Sequence, residues 1–367
     1  MNLQVKMRKI LNLFFLWTLG VIINTIWGAS YSSEINKLFA DPNLKLPTKI
    51  DFALKMALKK YDGQKIWLIY SIENLYDTTD ESGMTQQHFR NKELPLDQLI
   101  FGKENIYDEG SLAIILDYSL ESGSPCLFQI YTQRTTRPFL KDMRPIFWLG
   151  EENSSVSLNW LVNQFYQKKY VNLKTQIIKA TGIHNCSEKV VDFQKRIIMG
   201  DYPLSLKNEA INCLSQHNSI ISIKLLAQLA IKENDIWLRK KAIFALSQIK
   251  NGKAQSIISK LAKKDRNIEI RREAIFWLSQ IGNEEAIHVL SEIVLNETDP
   301  STKEYTIFAI SQLPEDKAKP LLTHIAQTTS FSRIRKKAIF WLGKTRDQRM
   351  MDFFLDLINE QEQSRPN

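Results

Sequence analysis

Side chains that commonly do chemistry are few and widely spaced in this chain of 367 residues. The histidines and cysteines are His88, His184, His217, His288, His324, Cys126, Cys186 and Cys213. None of them forms a His-x-x-x-His, His-Glu or Cys-x-x-Cys pair, so the spacing typical of metal ligands is missing. The sequence also lacks a Gly-rich phosphate loop and a Gly-x-Ser-x-Gly turn. We therefore expect no catalytic residue, no metal and no cofactor.

The cysteines indicate packing rather than cross-linking. Three cysteines are far too few for a disulfide scaffold. Cys213 falls within an apolar helical pattern, so we interpret it as a buried thiol. A Cys186–Cys213 bridge in an oxidising compartment is the alternative.

Aromatic residues at a fixed interval suggest recognition instead of catalysis. Four phenylalanines follow one another every 32 residues: Phe244, Phe276, Phe308 and Phe340. On a helical wheel at about 100° per residue, Leu238 and Leu246 lie near Ala242, whereas Phe244 lies about 200° away. Such a position is normally polar and faces outward in stacked helical repeats. Four units in succession make it phenylalanine, which predicts an aromatic row about 30 Å long.

Basic residues accompany this row at Lys240, Arg272 and Lys336, with Glu304 interrupting them. An apolar row with a polar rim is typical of a protein-binding surface, and aromatic residues and arginine are enriched at interface centres. The alternative is that neighbouring repeats or another domain cover the rings. Trp277 and Trp341 fall on the core flank of the wheel, so we expect them to pack inside.

The elements that must position these residues come from an internal repeat. The segment Ala274–Gln280 returns every 32 residues, as Ala210–Gln216, Ala242–Gln248, Thr306–Gln312 and Ala338–Lys344. A second apolar cluster recurs in phase, for example at Val289–Val294, with i, i+1, i+4, i+5 spacing. Asp299-Pro300 marks a helix start. The period predicts a mostly α fold, an α-solenoid of helix pairs.

The repeat resembles the HEAT-like repeats of the phycobilin-lyase type, in which an acid precedes an apolar-Arg-x-x-Ala-x-x-x-Leu-Gly/Ser helix. Asp265–Ser279 fits this form, with Ile270-Arg271 and Leu278-Ser279 at the expected places. The basic position recurs at Lys207, Arg239, Arg271, Lys303 and Arg335. The resemblance covers roughly residues 175–360 and implies architecture rather than activity. One enzyme class built on such repeats, the deoxyhypusine hydroxylases, holds iron with His-Glu pairs, which this chain lacks.

The expected domain organisation has four parts. Residues 1–30 read as a secretory signal: basic residues, an apolar run, then small residues. The alternative is an uncleaved membrane anchor at residues 10–27. Residues 31–170 form a small α+β domain, 171–360 hold five repeats plus a degenerate first one, and 361–367 form a polar tail. In the small domain we expect helices at 33–40 and 48–61 and strands at 65–72, 112–116, 126–131 and 145–149.

The net charge of +9 includes three charges in the signal segment, so it is too mild to indicate nucleic-acid binding. We therefore expect a non-catalytic protein-binding scaffold of the cell envelope, periplasmic or secreted. Its partner is a protein, and the candidate contact residues are the four phenylalanines with Lys240, Arg272 and Lys336. The alternative is an enzyme or cofactor chaperone of the bilin-lyase type, using the groove between the small domain and the repeats.

Overall fold

A computed structural model describes residues 35–37, 44–73, 111–135, 144–184, 188–217 and 219–344. The chain divides into two compact units, Met1–His184 and Asn185–Asn367. No helix within the described residues is long and apolar enough to cross a membrane. The signal segment, the Cys186 position and the polar tail lie outside the described residues, so the expectations for them stay predictions.

The first unit contains a five-stranded mixed sheet in the order β1-β5-β2-β3-β4. Its strands are β1 Ile35–Lys37, β2 Lys65–Glu73, β3 Ser111–Ser119, β4 Cys126–Arg134 and β5 Ile146–Glu151. The pairs β2–β3 and β3–β4 are antiparallel, whereas β5 runs parallel to β1 and to β2. Strands β2 to β5 confirm the four strands expected from apolar runs. The central strands β2 and β3 are buried along most of their length, which explains why they are continuously apolar.

The short helix expected at residues 33–40 is wrong. Residues 35–37 form β1, which pairs with β5 through Ile35 opposite Ile146 and Lys37 opposite Trp148. A three-residue strand is too short to show alternation, and its hydrogen-bonding partner lies far along the chain. The local pattern therefore could not separate it from a helix.

In its described residues the first unit also has three α-helices: α1 Leu46–Tyr61, α2 Ser154–Gln167 and α3 Val171–Gly182. Helices α1 and α2 pack against β2, and α3 packs against the edge strand β4. The oxygen Oε1 of Gln176 on α3 accepts a hydrogen bond from the Ile130 backbone N–H at 2.9 Å. This contact covers part of an edge whose N–H groups would otherwise be open to another strand. Helix α3 thus belongs to the sheet unit, although its sequence reads as the first helix of a degenerate repeat.

The second unit is built from helix pairs. Its helices are α4 Glu188–Met199, α5 Leu204–Ser215, α6 Ile220–Lys232, α7 Ile236–Gln248, α8 Gly252–Lys264, α9 Ile268–Ile281, α10 Glu284–Asn296, α11 Pro300–Ser311, α12 Glu315–Thr328 and α13 Ser332–Gly343. The odd-numbered helices, called first helices here, carry the repeated segment and pack on one another in sequence order. The even-numbered ones from α6 onward are the second helices of the same repeats. The 32-residue helix-pair solenoid is therefore confirmed.

Repeated polar caps fix where the first helices begin. Asp235, Asn267 and Asp299 stand 32 residues apart, and each side chain accepts hydrogen bonds from backbone N–H groups of the following turn. Pro300 occupies the first turn of α11, as expected from the Asp299-Pro300 pair. Behind the caps, Ala274 and Leu278 are fully buried, as the wheel required. The caps and the apolar period thus mark the same starting position for the first helix of successive repeats.

Candidate functional site

The four row phenylalanines lie on the first helices α7, α9, α11 and α13, opposite the residues that form the core. Phe244 and Phe276 are half-buried. Phe308 and Phe340 are 36% and 53% exposed. The rings are therefore neither fully covered nor fully solvated, and their exposure increases toward the C-terminal repeats.

Trp277 and Trp341 belong to this face and not to the core flank where we expected them. Both are half-buried. The Trp277 ring lies 4.8 Å from that of Phe244 in the preceding repeat and 5.0 Å from that of Phe276. Trp341 repeats the arrangement, at 5.6 Å from Phe308 and 5.3 Å from Phe340. Each tryptophan thus joins two row phenylalanines of adjacent repeats.

The residue after each row phenylalanine is a tryptophan only in alternate repeats. In chain order these residues are Ala245, Trp277, Ala309 and Trp341. The row is consequently two aromatic clusters. The first cluster holds Phe244, Trp277 and Phe276, and the second holds Tyr305, Phe308, Trp341 and Phe340, with Tyr305 5.9 Å from Phe308. Among the described residues, no ring contact joins one cluster to the other. The sequence carried this signal as a 64-residue alternation, which our wheel of single helices missed.

Arg272 spans the gap between the clusters. Its guanidinium lies 5.6 Å from the Tyr305 ring centre, and its Nη2 donates a 3.0 Å hydrogen bond to Ser301 Oγ. Arg272 sits on α9 with the first cluster, whereas Tyr305 sits on α11 with the second. The predicted basic residue is therefore placed at the middle of the face.

The other two predicted cations differ in their surroundings. Lys240 donates to Glu269 at 2.7 Å, and this hydrogen bond lowers the pKa of the Glu269 carboxyl. Lys336 is exposed on α13. Glu304, which interrupts the basic row, pairs with Arg333 and lies 3.8 Å from Lys337. The acids that face the row thus already have basic partners.

The recurrent basic position of the repeat has a structural role instead. Arg239 donates from Nε to the Ala230 carbonyl at 2.7 Å and pairs with Asp265 of the next repeat. Lys303 donates to the Leu295 carbonyl at 3.2 Å. These carbonyls lie in the last turns of second helices, where they lack intrahelical partners and attract cations. The position therefore connects one repeat to the preceding one.

A buried chain of hydrogen bonds in the first unit was not predicted from the sequence. Tyr70 Oη lies 2.9 Å from Ser157 Oγ, which lies 2.8 Å from His184 Nε2, while His184 Nδ1 lies 2.8 Å from the Ala180 carbonyl oxygen. Tyr70 and Ser157 have no exposed area. Burial raises the pKa of Tyr70, with the Ser157 hydrogen bond opposing that rise. These residues are distant in sequence and form no local motif, so no sequence signal pointed to them.

Further titratable groups lie among the described residues. No group of three or more His, Cys, Asp or Glu residues among them could hold a metal ion. His288 and His324 lie on the second helices α10 and α12. A Lys49–Glu152 ion pair is nearly buried beside the Tyr70 chain in the first unit. Cys213 is buried.

Comparison with known families decides the architecture. The family model for HEAT repeats matches residues 223–304, which run from α6 into α11 and include the first aromatic cluster. The chain is a HEAT-like repeat protein. The match includes Arg239 and Arg271, two of the recurrent basic residues. Arg271 donates from Nη1 to the Asp265 carbonyl at 3.0 Å, and its Nε lies 3.5 Å from Glu297 Oε2. No curated protein matches the sequence at a significant level.

Two solved structures resemble this HEAT-like protein weakly. The complex of CpcE and CpcF of phycocyanin lyase from Nostoc sp. PCC7120 is 16% identical with a TM-score of 0.30, covering 41% of this chain and 98% of that one. Human deoxyhypusine hydroxylase in complex with glycerol is 14% identical with a TM-score of 0.28, covering 52% and 75%. Likenesses at this level carry no argument about activity.

Proposed function

We propose that this HEAT-like protein is a non-catalytic scaffold that binds a protein partner through the aromatic face of its first helices. The face consists of the two aromatic clusters with Lys240, Arg272 and Lys336. The observation that supports the proposal most is the exposure of Phe308 and Phe340, 36% and 53%, at positions that HEAT-type helices normally make polar. Exposed aromatic area with a cationic rim is the composition that interface centres favour.

The packing of the rings supports the same function. Tryptophans wedged between phenylalanines of adjacent repeats hold the rings in fixed positions, so little side-chain entropy remains to be lost on binding. Rigid aromatic side chains of this kind supply contact area efficiently. A face prepared in this way suits a scaffold whose partner docks without rearranging it.

The proposed location is the cell envelope, with residues 1–30 as the export signal. The basic residues, apolar run and small residues of that segment support this location. Mass spectrometry of the protein from fractionated cells should find a mature N-terminus at Tyr31 in the periplasm or medium. Recovery of an intact N-terminus in the membrane fraction would instead support the anchor at residues 10–27, and recovery in the cytosol would contradict export.

A pull-down from native extract tests the scaffold proposal. Phe308→Ala with Phe340→Ala removes the two most exposed rings, and we expect loss of at least nine-tenths of the captured partner. The matched control is Ile231→Ala with Leu295→Ala, which removes side chains with the same 54% exposure from second helices. Unchanged capture by the aromatic variant would contradict the proposal. So would a chromophore or metal copurifying with the protein, detected by absorbance and elemental analysis.

A further inference from the structure

The chemistry of the face indicates which class of segment it binds. We propose that the aromatic face takes an extended, acidic, proline-containing segment of its partner in polyproline II conformation. This inference rests on the proposed function and specifies the partner. The charge, the spacing and the ring chemistry of the face support it.

The first helices that carry the face have more basic than acidic residues once the recurrent basic position, which connects repeats, is set aside. Six basic residues and three acidic ones then remain on α7, α9, α11 and α13. The basic residues are Lys240, Lys241, Arg272, Arg333, Lys336 and Lys337, and the acidic ones are Glu269, Glu273 and Glu304. Glu269 and Glu304 are paired with lysine or arginine, and Glu273 accepts a hydrogen bond from Trp277 Nε1 at 2.7 Å. The remaining positive charge favours an acidic ligand.

The interval expected between packed helices is close to the period of one backbone conformation. Helices that pack in a layer stand about 8–10 Å apart, so equivalent ring positions recur at that interval. A polyproline II segment rises about 3.1 Å per residue with three residues per turn, so one of its faces recurs about every 9 Å. Every third side chain of such a segment would therefore meet a new repeat. Side chains on one face of a β-strand recur about every 7 Å, so they would not stay aligned with successive repeats.

The rings themselves favour the same ligand. Aromatic-lined surfaces bind polyproline II segments because the ligand is already ordered and loses little entropy. Between the clusters, Arg272 places a guanidinium beside Tyr305. An acidic residue of the ligand would pair there, while its apolar residues would contact the clusters on either side.

Fluorescence anisotropy with synthetic peptides tests the inference on the full-length protein. The probe is a labelled twelve-residue peptide, four repeats of Leu-Glu-Pro. Three comparison peptides replace glutamate by lysine, scramble the order, or place the same acidic and leucine residues in a helical heptad with alanine instead of proline. We expect the probe to bind at least tenfold more tightly than each comparison peptide. Phe308→Ala with Phe340→Ala should weaken its binding at least tenfold, whereas Ile231→Ala with Leu295→Ala should change it less than twofold.

The outcomes separate this inference from the scaffold proposal. Equal or tighter binding of the helical or lysine peptide, or no binding of the probe, would overturn the extended acidic ligand. The scaffold proposal would still stand in that case if the aromatic variant lost its partner in the pull-down. Retention of the partner by that variant would overturn the scaffold proposal, whatever the peptides do.

Discussion

At the scale of single residues, the Ala180 carbonyl sets the direction of the hydrogen bonds in the buried chain of the first unit. A carbonyl oxygen only accepts, so Nδ1 of His184 carries a proton and donates to it. In the neutral ring Nε2 then accepts from the Ser157 hydroxyl, whose oxygen accepts in turn from Tyr70. For a neutral imidazole these three hydrogen bonds run in one direction, and a buried polar network of this kind helps to specify a unique core.

Tyr70→Phe should lower the free energy of unfolding by about 1–2 kcal/mol, because the Ser157 oxygen loses a buried donor. The measurement is urea unfolding followed by circular dichroism. Tyr170→Phe is the control, since Tyr170 is 76% exposed and its change should stay within about 0.5 kcal/mol. Equal effects of the two substitutions would mean that the chain does not stabilise the first unit.

Asp299 makes the stability of the repeats depend on acidity. Hydrogen bonds from Thr302 and Ser301 lower the pKa of its carboxyl. A lowered folded-state pKa stabilises the protein above the ordinary value of about 3.9, and that contribution is lost as pH falls below it. The urea-midpoint difference between the wild type and Asp299→Asn should therefore shrink from pH 7 to pH 3. A constant difference would contradict this role.

Neighbouring residues on α7 offer a contrast between a connecting ion pair and a surface ion pair. Arg239→Ala should cost about 2 kcal/mol or more, since it leaves the Ala230 carbonyl and Asp265 without a nearly buried partner. Lys240→Ala should cost at most about 0.5 kcal/mol, because the Lys240–Glu269 pair is 34% and 55% exposed. Urea unfolding of both variants measures the difference, and equal costs would contradict the connecting role of Arg239.

At the scale of elements, the sequence predicted most of what a repeating local pattern can encode. Helix pairs, caps such as Asp299 and the four longer strands follow from apolar periodicity and turn chemistry within short windows. Strand β1 could not be predicted in this way, because it is paired with residues of β5 that lie far along the chain. The positions of Trp277 and Trp341 between row phenylalanines could not be predicted either, because Trp277 packs against Phe244 of the preceding repeat.

Removing a buried phenylalanine should lower the free energy of unfolding far more than removing the two exposed ones. Phe165→Ala should cost about 3–5 kcal/mol, because this ring on α2 is fully buried. Phe308→Ala with Phe340→Ala should cost less than about 2 kcal/mol in total, because both rings keep much of their exposure in the folded state. Thermal and urea unfolding measure both. A larger loss from the exposed pair would indicate that these rings serve the fold instead of a partner.

At the scale of the whole molecule, recurring positions such as Arg239 and Lys303 connect neighbouring repeats. The proposed binding face lies on the side of the first helices opposite the core. The period predicted the helix positions of the four phenylalanines and three cations, but it placed Trp277 and Trp341 of the same face on the core flank. The sequence could not show which of these cations form ion pairs, because the partners Lys240 and Glu269 lie on different repeats.

Site-specific photo-crosslinking in intact cells tests the central claim most directly. A benzoylphenylalanine placed at Phe340 reports on the aromatic face of the first helices. One placed at Leu295, which is 54% exposed on α10, reports on the second helices. We predict a single protein adduct of defined mass from position 340 after irradiation and none from position 295. No adduct at 340, or the same adducts from both positions, would contradict an aromatic face dedicated to a protein partner.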